Sequence, residues 1–246
     1  MKIAITQANF IPWYAYFHLI SKVDKFYILD NVKLGHRSFT NRNFIFSNKK
    51  KLWLTLSLNN ENKKKELKDI TIEPECKTKI KNVLLGNYPF INKSELLNVI
   101  DDMLNKKIDN LTDLNIYILK KICILFGLKF EILKSSEFEP KNNLETDQYL
   151  KNIMIKSKCN EYYNFQKGIE LGLSPYSDKF FFQKNNIKLI KQNVKKIINT
   201  EKDIFLKESI IKLIIDIYQN KKNITKETFS NEFNKYSNYI TYERIY

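Results

Sequence analysis

The sequence predicts an α/β protein with a mostly parallel sheet, flanking helices and a helical insertion at about residues 75–126. Two short apolar runs, KIAIT (2–6) and KFYILD (25–30), enclose a helical pattern, and this is the β-α-β unit of parallel sheets. Only five glycines and five prolines occur in 246 residues, too few for the many tight turns of a sandwich or barrel. No repeat or Gly/Ser linker divides the chain, so we expect one domain over residues 1–246.

The spacing of apolar residues predicts each element near the N-terminus. PWYAYFHLISKV (12–23) carries an apolar stripe at helical spacing, and Pro12 suits the first turn of a helix. NFIFS and LWLTLSL (52–58) read as two strands, and in the second leucines alternate with other residues. The NKKK between them predicts a hairpin turn.

The rest of the chain alternates between helical and extended patterns. Within the predicted insertion, 95–104 and 112–126 are the clearest helices, and Gly127 ends the second. The later elements are a strand at LKFEIL (128–133), a helix at 145–157, a short strand at EYYNF, a last strand at IKLIKQ (187–192) and a helix at 203–220. The tyrosine-rich tail, 235–246, has no clear pattern.

Charge gives the chain a basic character without pointing to nucleic acid. Lys plus Arg number 42 against 27 acidic residues, a formal net charge of +15, but only Arg37, Arg42 and Arg244 are arginines. Phosphate sites favour arginine because its planar group binds phosphate in two places. We therefore expect a surface suited to an anionic ligand or to peripheral contact with an anionic inner membrane, and disfavour nucleic acid.

Several classes of site and location are disfavoured by what the sequence lacks. Cys76, Cys123 and Cys159 are odd in number and without CxxC spacing, so neither a metal site nor a disulfide framework is predicted. No GxGxxG, P-loop, GxSxG or HExxH occurs, so the cofactor, if any, stays unidentified. No signal-peptide pattern or apolar window of membrane-spanning length occurs, and we expect a cytoplasmic protein.

Polar residues follow three of the predicted strands at the point where each strand ends. Gln7 and Asn9 follow the first strand, Asp30 the second, and Ser135 with Ser136 the strand at 128–133. Ligands of α/β sheets bind at the carboxyl ends of strands, so these residues would form one site if the three strands are neighbours. The alternative is turn chemistry, which favours Asn, Asp and Ser for local reasons.

The segment LGHRSFTNRNF (34–44) concentrates two arginines in a lysine-rich chain. Arg37 and Arg42 lie on either side of a short polar stretch, and His36 precedes the first. Nearby positive charge favours a neutral imidazole, which could act as a general base. The alternative is a solvated loop. His18, on the opening helix, is a second candidate base, with packing or surface exposure as its alternative.

The first 55 residues resemble the opening of the WbqC-like family. The positions that match its pattern are Gln7, Pro12, Trp13, Tyr16, Phe17, Asp24, Phe26, Asp30, Val32, Arg37, Asn41, Arg42, Asn43, Ile45, Trp53, Leu54 and Thr55. The positions that depart from it are Ala8, Ala15, His18, Phe39 and Cys76. Cys76 stands where the family pattern leads us to expect a histidine, which puts a catalytic role there in doubt.

The resemblance implies a role in bacterial O-antigen and other surface-polysaccharide biosynthesis. It implies a transferase that places an aminoacyl group, plausibly glycyl, on an amino sugar of a nucleotide-linked or lipid-linked substrate carrying diphosphate. Asp30, His36 or His18 would be the catalytic base. The alternative is a non-catalytic binding or scaffold protein of the polysaccharide assembly machinery.

Substrate binding in this scheme falls to the polar residues at the strand ends and to the arginine-rich segment. Arg37 and Arg42 would bind the diphosphate in bidentate fashion. Asn41 and Asn43 are also candidates, but in an extended segment they point away from Arg42, so one of the two sets would be structural.

Overall fold

A computed structural model describes residues 1–36, 38–48, 50–59, 65–104, 107–172, 175–195, 208–221 and 223–246. Within these ranges the main sheet has six strands in the order β5-β2-β1-β6-β7-β8. They are β1 (Lys2–Thr6), β2 (Lys25–Ile28), β5 (Ile132–Lys134), β6 (Glu161–Phe165), β7 (Lys188–Val194) and β8 (Ile240–Arg244). All neighbours are parallel except β7 and β8, which confirms the predicted α/β class.

The helices lie between and around these strands. Their bounds are α1 (Tyr14–Ile20), α2 (Cys76–Asn87), α3 (Leu96–Leu104), α4 (Leu111–Leu125), α5 (Ser135–Phe138), α6 (Thr146–Lys156), α7 (Gln166–Glu170), α8 (Lys179–Lys184), α9 (Ile211–Asn220) and α10 (Lys226–Lys235). Short 3₁₀ turns occupy Leu67–Asp69, Pro89–Lys93 and Ser237–Tyr239. The helices predicted at 95–104, 112–126 and 145–157 are confirmed within one residue at each end.

The opening β-α-β unit forms as the apolar spacing predicts. β1 pairs with β2 in parallel, with Ile3 opposite Lys25, and every residue of α1 is buried. The helix begins later than predicted, because Pro12 and Trp13 stay outside it in an extended segment that bridges to Ser209. The loop entering the helix is therefore shaped by a distant part of the chain.

The predicted hairpin is confirmed, but its second strand begins at Lys50, inside the predicted NKKK turn, and ends at Thr55 rather than at residue 58. β3 (Arg42–Ser47) and β4 (Lys50–Thr55) pair in antiparallel fashion, with Arg42 opposite Thr55 and Ser47 opposite Lys50. Asn48 has a φ of 48°, the left-handed region that two-residue hairpin connections need. This two-stranded sheet is separate from the main one.

The prediction that 187–192 is the last strand is wrong. The tail forms β8, which runs antiparallel to β7 and places Tyr242 opposite Gln192. An edge strand of only five residues gives a weak local signal, and its pairing depends on a partner 50 positions away. Of the helix predicted at 203–220, α9 covers Ile211–Asn220, and residues 203–207 lie outside the described part of the chain.

Both faces of the main sheet are buried, so its side chains alternate between two apolar clusters. Along β1, Ala4 faces the cluster that holds α1 and the helices of 76–125, whereas Ile3 and Ile5 face the cluster under α6 and α8. This covering on both sides is typical of parallel sheets. It leaves the strand ends as the places where polar groups can gather. Among the described residues no helix has the length and apolar character needed to cross a membrane.

Candidate functional site

Asp30 lies at the carboxyl edge of the sheet and is bound by two serines. β2 has β1 on one side and β5 on the other, so the ends of these three strands meet. Asp30 is fully buried, and its Oδ1 accepts hydrogen bonds from Ser135 Oγ at 3.0 Å and from the Ser136 backbone N–H at 3.0 Å. Ser136 Oγ donates to its Oδ2 at 2.6 Å. The three strand ends are adjacent as predicted, and Asp30 meets Ser135 and Ser136, whereas the Gln7 side chain is hydrogen-bonded to Thr40 instead.

The loop after β1 is tied to the segment that enters the hairpin. Gln7 Oε1 accepts a hydrogen bond from Thr40 Oγ1 at 3.2 Å. Asn115 of α4 is fully buried, and its Nδ2 donates at 2.8 Å to both the Ala8 and Thr40 carbonyl oxygens. Asn9 lies partly buried in the same loop. The helical segment thus fixes the position of the hairpin relative to the strand ends.

The two asparagines of the arginine-rich segment bind backbone. Asn43 is fully buried, and its Nδ2 donates to the Ile11 carbonyl at 2.8 Å and to the Phe10 carbonyl at 3.2 Å. Ile11 has a φ of 39°, a strained conformation for a β-branched residue, and Ser209 Oγ also donates to its carbonyl at 2.6 Å. Asn41 Nδ2 donates to the Leu56 carbonyl at 3.1 Å. Asn43 therefore holds the turn that presents Trp13.

Arg42 lies on the opposite face of β3 from Asn43, as the extended geometry predicts. Its guanidinium carbon lies 4.6 Å from the ring centroid of Trp53 on β4. His36 is exposed in the loop that precedes the hairpin. Arg37 lies outside the described residues, so the predicted grouping of His36 between two arginines stays a prediction.

His18 is buried in a network behind β7 and β8. Its Nδ1 lies 2.9 Å from the Tyr242 hydroxyl, which also accepts a hydrogen bond from Gln192 Nε2 at 3.0 Å. Burial, and to a lesser degree the charge of Lys22, lowers the pKa of His18 to about 4. His18 contacts β8, the outermost strand on one side of the sheet, and Asp30 contacts residues that follow β5, the outermost strand on the other side. These two predicted bases are therefore not brought together.

A cavity of about 320 Å³ opens at the carboxyl ends of β6 and β7. Its lining residues are Trp13, Phe165, Gln166, Lys167, Glu170, Leu171, Gln192 and Val194. The Trp13 and Phe165 ring centroids are 5.6 Å apart. β1 has β2 on one side and β6 on the other, so the strand order reverses at β1. Ligands of such sheets bind at this switch point, and the cavity adjoins it.

Gln192 is a buried polar residue of the cavity wall whose side-chain oxygen lacks a hydrogen-bond donor. The residue is 1% exposed, and its Nε2 donates to the Ala15 carbonyl and to the Tyr242 hydroxyl, both at 3.0 Å. These two bonds fix the orientation of the amide. Its Oε1 accepts no hydrogen bond from any described residue. A buried acceptor without a donor is costly, and Gln192 is one of the residues that line the cavity.

The sequence prediction missed the residues of this cavity. The rule that ligands lie beyond strand ends was applied to the first, second and fifth strands only. Applied to EYYNF and IKLIKQ, it would have pointed to Gln166, which follows β6, and to Gln192, which ends the predicted strand and lies two residues before the end of β7. The presence of Trp13 in the same cavity had no local signal, because it depends on the strained turn at Ile11.

The described ranges contain no group of three or more His, Cys, Asp or Glu side chains placed to hold a metal ion. The three cysteines are buried and free. Cys76 begins α2, and burial raises the pKa of its thiol, which disfavours the reactive thiolate.

Comparison with known proteins places this site within a family. The model of the WbqC-like protein family matches residues 7–221. The chain belongs to the WbqC-like protein family. Rv1507c, an uncharacterized protein of Mycobacterium tuberculosis (strain ATCC 25618 / H37Rv), is 44% identical over 55 residues, which are 22% of this chain and 24% of that protein. The chain thus aligns with about a quarter of this relative's length. No solved structure matches the chain.

Most of the site of this WbqC-like chain falls inside the matched residues. The Asp30 cluster and all the residues that line the cavity lie between 7 and 221. Tyr242, which supports Gln192 from behind, lies beyond them in β8.

Proposed function

We propose that this WbqC-like protein is a transferase that places an aminoacyl group, plausibly glycyl, on an amino sugar used in bacterial surface-polysaccharide biosynthesis. The observation that carries the proposal is the cavity beside the sheet switch point, which is lined by two aromatic rings and by Gln192, a buried amide with an unpaired oxygen. Family membership supports the polysaccharide context.

The cavity suits a single sugar ring. Its volume of about 320 Å³ lies at the lower end of the range for small-ligand sites. The apolar C–H faces of a pyranose pack on aromatic rings, here Trp13 and Phe165. A hydroxyl or acylamino N–H of the sugar would donate to Gln192 Oε1. The polar side chains at the rim, Lys167 and Glu170, would contact the remaining hydroxyls.

The anionic part of the substrate would extend toward Arg42. A row of aromatic rings links the cavity to this arginine: the Trp13 and Phe39 centroids are 5.9 Å apart, and those of Phe39 and Trp53 are 6.5 Å apart. Arg42, already stacked on Trp53, would bind a diphosphate in bidentate fashion together with Arg37. A nucleotide-linked or lipid-linked sugar carries such a diphosphate.

The transfer itself needs a base for the sugar amine. The amine nitrogen forms a bond to the acyl carbon of an activated ester or thioester donor, the bond from that carbon to the donor oxygen or sulfur breaks, and the amine loses a proton. Asp30, whose carboxylate accepts a hydrogen bond from the Ser136 hydroxyl at 2.6 Å, is one candidate base, and it would serve a substrate whose amine extends from the cavity across the ends of β1 and β2. His36, exposed beside the arginine-rich segment, is the second candidate base.

The competing proposal is a non-catalytic binding protein of the polysaccharide machinery. It is favoured by the complete pairing of Asp30 with the two serines, which is also what a purely structural carboxylate needs. In that case the cavity would bind a sugar without changing it.

Mass spectrometry of the surface glycan tests the proposal. The glycans of the native strain, a deletion strain, and deletion strains carrying native protein, Arg42→Lys or Gln192→Met would be compared. Arg42→Lys keeps the charge but loses bidentate binding, and Gln192→Met removes the amide at similar volume. We expect deletion and both variants to remove the same small substituent, whose mass identifies the transferred group.

The control is Lys120→Gln, an exposed residue of α4 outside the cavity lining, which should restore the native glycan. Saturation-transfer NMR of the purified chain with UDP-N-acetylglucosamine would test sugar binding separately. A glycan that is shortened on deletion and fully restored by both site variants would contradict the transferase and favour the binding protein.

A further inference from the structure

The outer face of the β3–β4 hairpin combines aromatic and basic side chains. Alternation along the two strands places Phe44 and Phe46 of β3 on the same face as Lys51 and Trp53 of β4, with Arg42 at one end. We call these five residues the hairpin outer face. On the opposite face Ile45, Leu52 and Leu54 pack in the core beside the buried Asn43, so the hairpin is anchored from behind.

These side chains form one layer in which cations lie over aromatic rings. Lys51 Nζ is 4.0 Å from the Phe44 centroid and 5.5 Å from that of Trp53. Phe44 packs against Phe46 at 5.6 Å and Trp53 at 5.3 Å between centroids. Trp53 remains 42% exposed, and Phe39, whose ring adjoins that of Trp53, is 38% exposed. Large aromatic side chains are thus left in contact with solvent beside positive charge.

The segment that forms the hairpin carries positive charge only. The sequence from 40 to 59 contains four basic residues, Arg42 and Lys49–Lys51, and no Asp or Glu. Among the described residues, Glu208 contacts the hairpin; it is 4% exposed and accepts a hydrogen bond from the Phe46 backbone N–H at 2.7 Å. It is covered by the hairpin and adds no exposed negative charge to the outer face.

We propose that the hairpin outer face docks this protein on an anionic lipid bilayer. Tryptophan and phenylalanine side chains insert at the boundary between headgroups and acyl chains. Tryptophan suits this boundary because its ring is apolar and its N–H is polar. Lysine and arginine extend their charged ends to anionic headgroups while their stems cover apolar surface, and each basic residue near such a surface contributes about 1 kcal/mol. The hairpin outer face supplies both kinds of side chain on one rigid element.

A bilayer fits this face better than single-stranded nucleic acid. Nucleic-acid sites present open ring faces on which bases stack. Here Phe44 is 8% exposed beneath Lys51, and Arg42 covers one face of the Trp53 ring, so the rings do not form a row of open faces on which successive bases could stack. The docking does not depend on the proposed transferase activity. If both hold, the ring row from Trp53 through Phe39 to Trp13 would connect the membrane surface with the cavity.

Vesicle co-sedimentation of the full chain tests the proposal. Vesicles of phosphatidylglycerol and phosphatidylethanolamine would be compared with vesicles of phosphatidylcholine. We expect binding to the anionic vesicles, and a loss of about tenfold or more in Arg42→Glu/Lys51→Glu, since the two attractive charges of the hairpin outer face become repulsive. The matched control is Lys120→Glu/Lys129→Glu, which changes net charge equally at exposed positions outside the hairpin and should bind nearly as well as the native chain.

Trp53 fluorescence provides a second readout that does not depend on the charge variants. In Trp13→Phe, Trp53 is the single tryptophan of the chain, and its emission should shift to the blue on anionic vesicles. Equal loss of binding in both double variants would reduce the effect to net charge and overturn the proposal. A Trp53 shift with soluble glycerophosphate alone, or tighter binding to single-stranded RNA than to vesicles, would also overturn it.

Discussion

Two buried polar groups at the same edge of the sheet differ in how fully they are paired. Asp30, at the end of β2, is fully buried and accepts three hydrogen bonds from Ser135 and Ser136. Gln192, near the end of β7, is 1% exposed, and its Oε1 has no donor among the described residues. The first cluster is closed by the protein itself, whereas the second adjoins an open cavity.

This difference leads us to expect that Asp30 contributes mainly to stability and Gln192 mainly to ligand binding. Buried polar groups in folded proteins are nearly always hydrogen-bonded, so a complete cluster adds to stability and an incomplete one calls for an explanation. We therefore expect the free energy of unfolding to depend strongly on Asp30 and only weakly on Gln192. Binding of a sugar should depend on Gln192.

The largest expected effect is that of Asp30→Ala. Three hydrogen bonds to a charged acceptor are lost and the two serines are left without it, so we expect a loss of about 3–5 kcal/mol in the free energy of unfolding. Urea denaturation measures it. The control is Asp24→Ala, because Asp24 is exposed and accepts a bond from the Lys2 backbone N–H at 2.7 Å. Similar losses for both variants would contradict the distinction drawn here.

The network behind the cavity makes stability depend on acid through His18. The pKa of His18 is about 4 in the folded chain against an ordinary 6.5, so the unfolded chain binds the extra proton between these values. Its contribution is complete above pH 6.5 and is lost as pH falls toward 4, by at most about 3 kcal/mol. The difference in stability between native protein and His18→Gln should follow this course in urea denaturation. A difference that is constant with pH would contradict the assignment.

Glu208, beneath the hairpin, is expected to act in the opposite direction. Burial raises the pKa of its carboxyl to about 7 from an ordinary 4.5, and Asp216 adds to this while the Phe46 N–H and Lys212 oppose it. The folded chain then holds the proton between these values, so its contribution is complete below pH 4.5 and is lost as pH rises through 7, by at most about 3 kcal/mol. Glu208→Gln should gain stability over native protein above pH 7 in thermal unfolding. Parallel curves for the two proteins would exclude a buried, protonated Glu208.

The smallest effect on stability is expected for Gln192→Met. Two hydrogen bonds from Nε2 are lost, but the unpaired Oε1 is removed as well, so we expect a loss of about 1 kcal/mol. The control is Gln148→Met, which removes a solvent-exposed hydrogen bond from Gln148 Nε2 to Asn152 Oδ1 on α6 and should leave stability nearly unchanged. Binding of UDP-N-acetylglucosamine should weaken in Gln192→Met alone. If stability falls as far as in Asp30→Ala, Gln192 is a structural residue like Asp30.

Much of the fold could be predicted because its signals are local. The helical stripe of α1, the apolar runs of β1 and β2, and the alternation in β3 and β4 follow from the periods of helix and strand. The same alternation separates Asn43 from Arg42 before any tertiary contact is known. The convergence of Asp30 with Ser135 and Ser136 needed one further rule, that parallel strands end at the same edge.

The α/β class, the β-α-β opening, the hairpin and the family of the chain could all be predicted from the order of its residues. The addition of β8 by the tail, the hydrogen bond between Tyr242 and Gln192, and the pairing of Trp13 with Phe165 in one cavity became evident from the folded chain alone. The two groups of features differ in the separation of the interacting residues along the sequence. Periodicity is set by neighbouring residues, whereas these contacts join residues that are 50 or more positions apart in the sequence. They form only after the order of the strands in the sheet has been fixed.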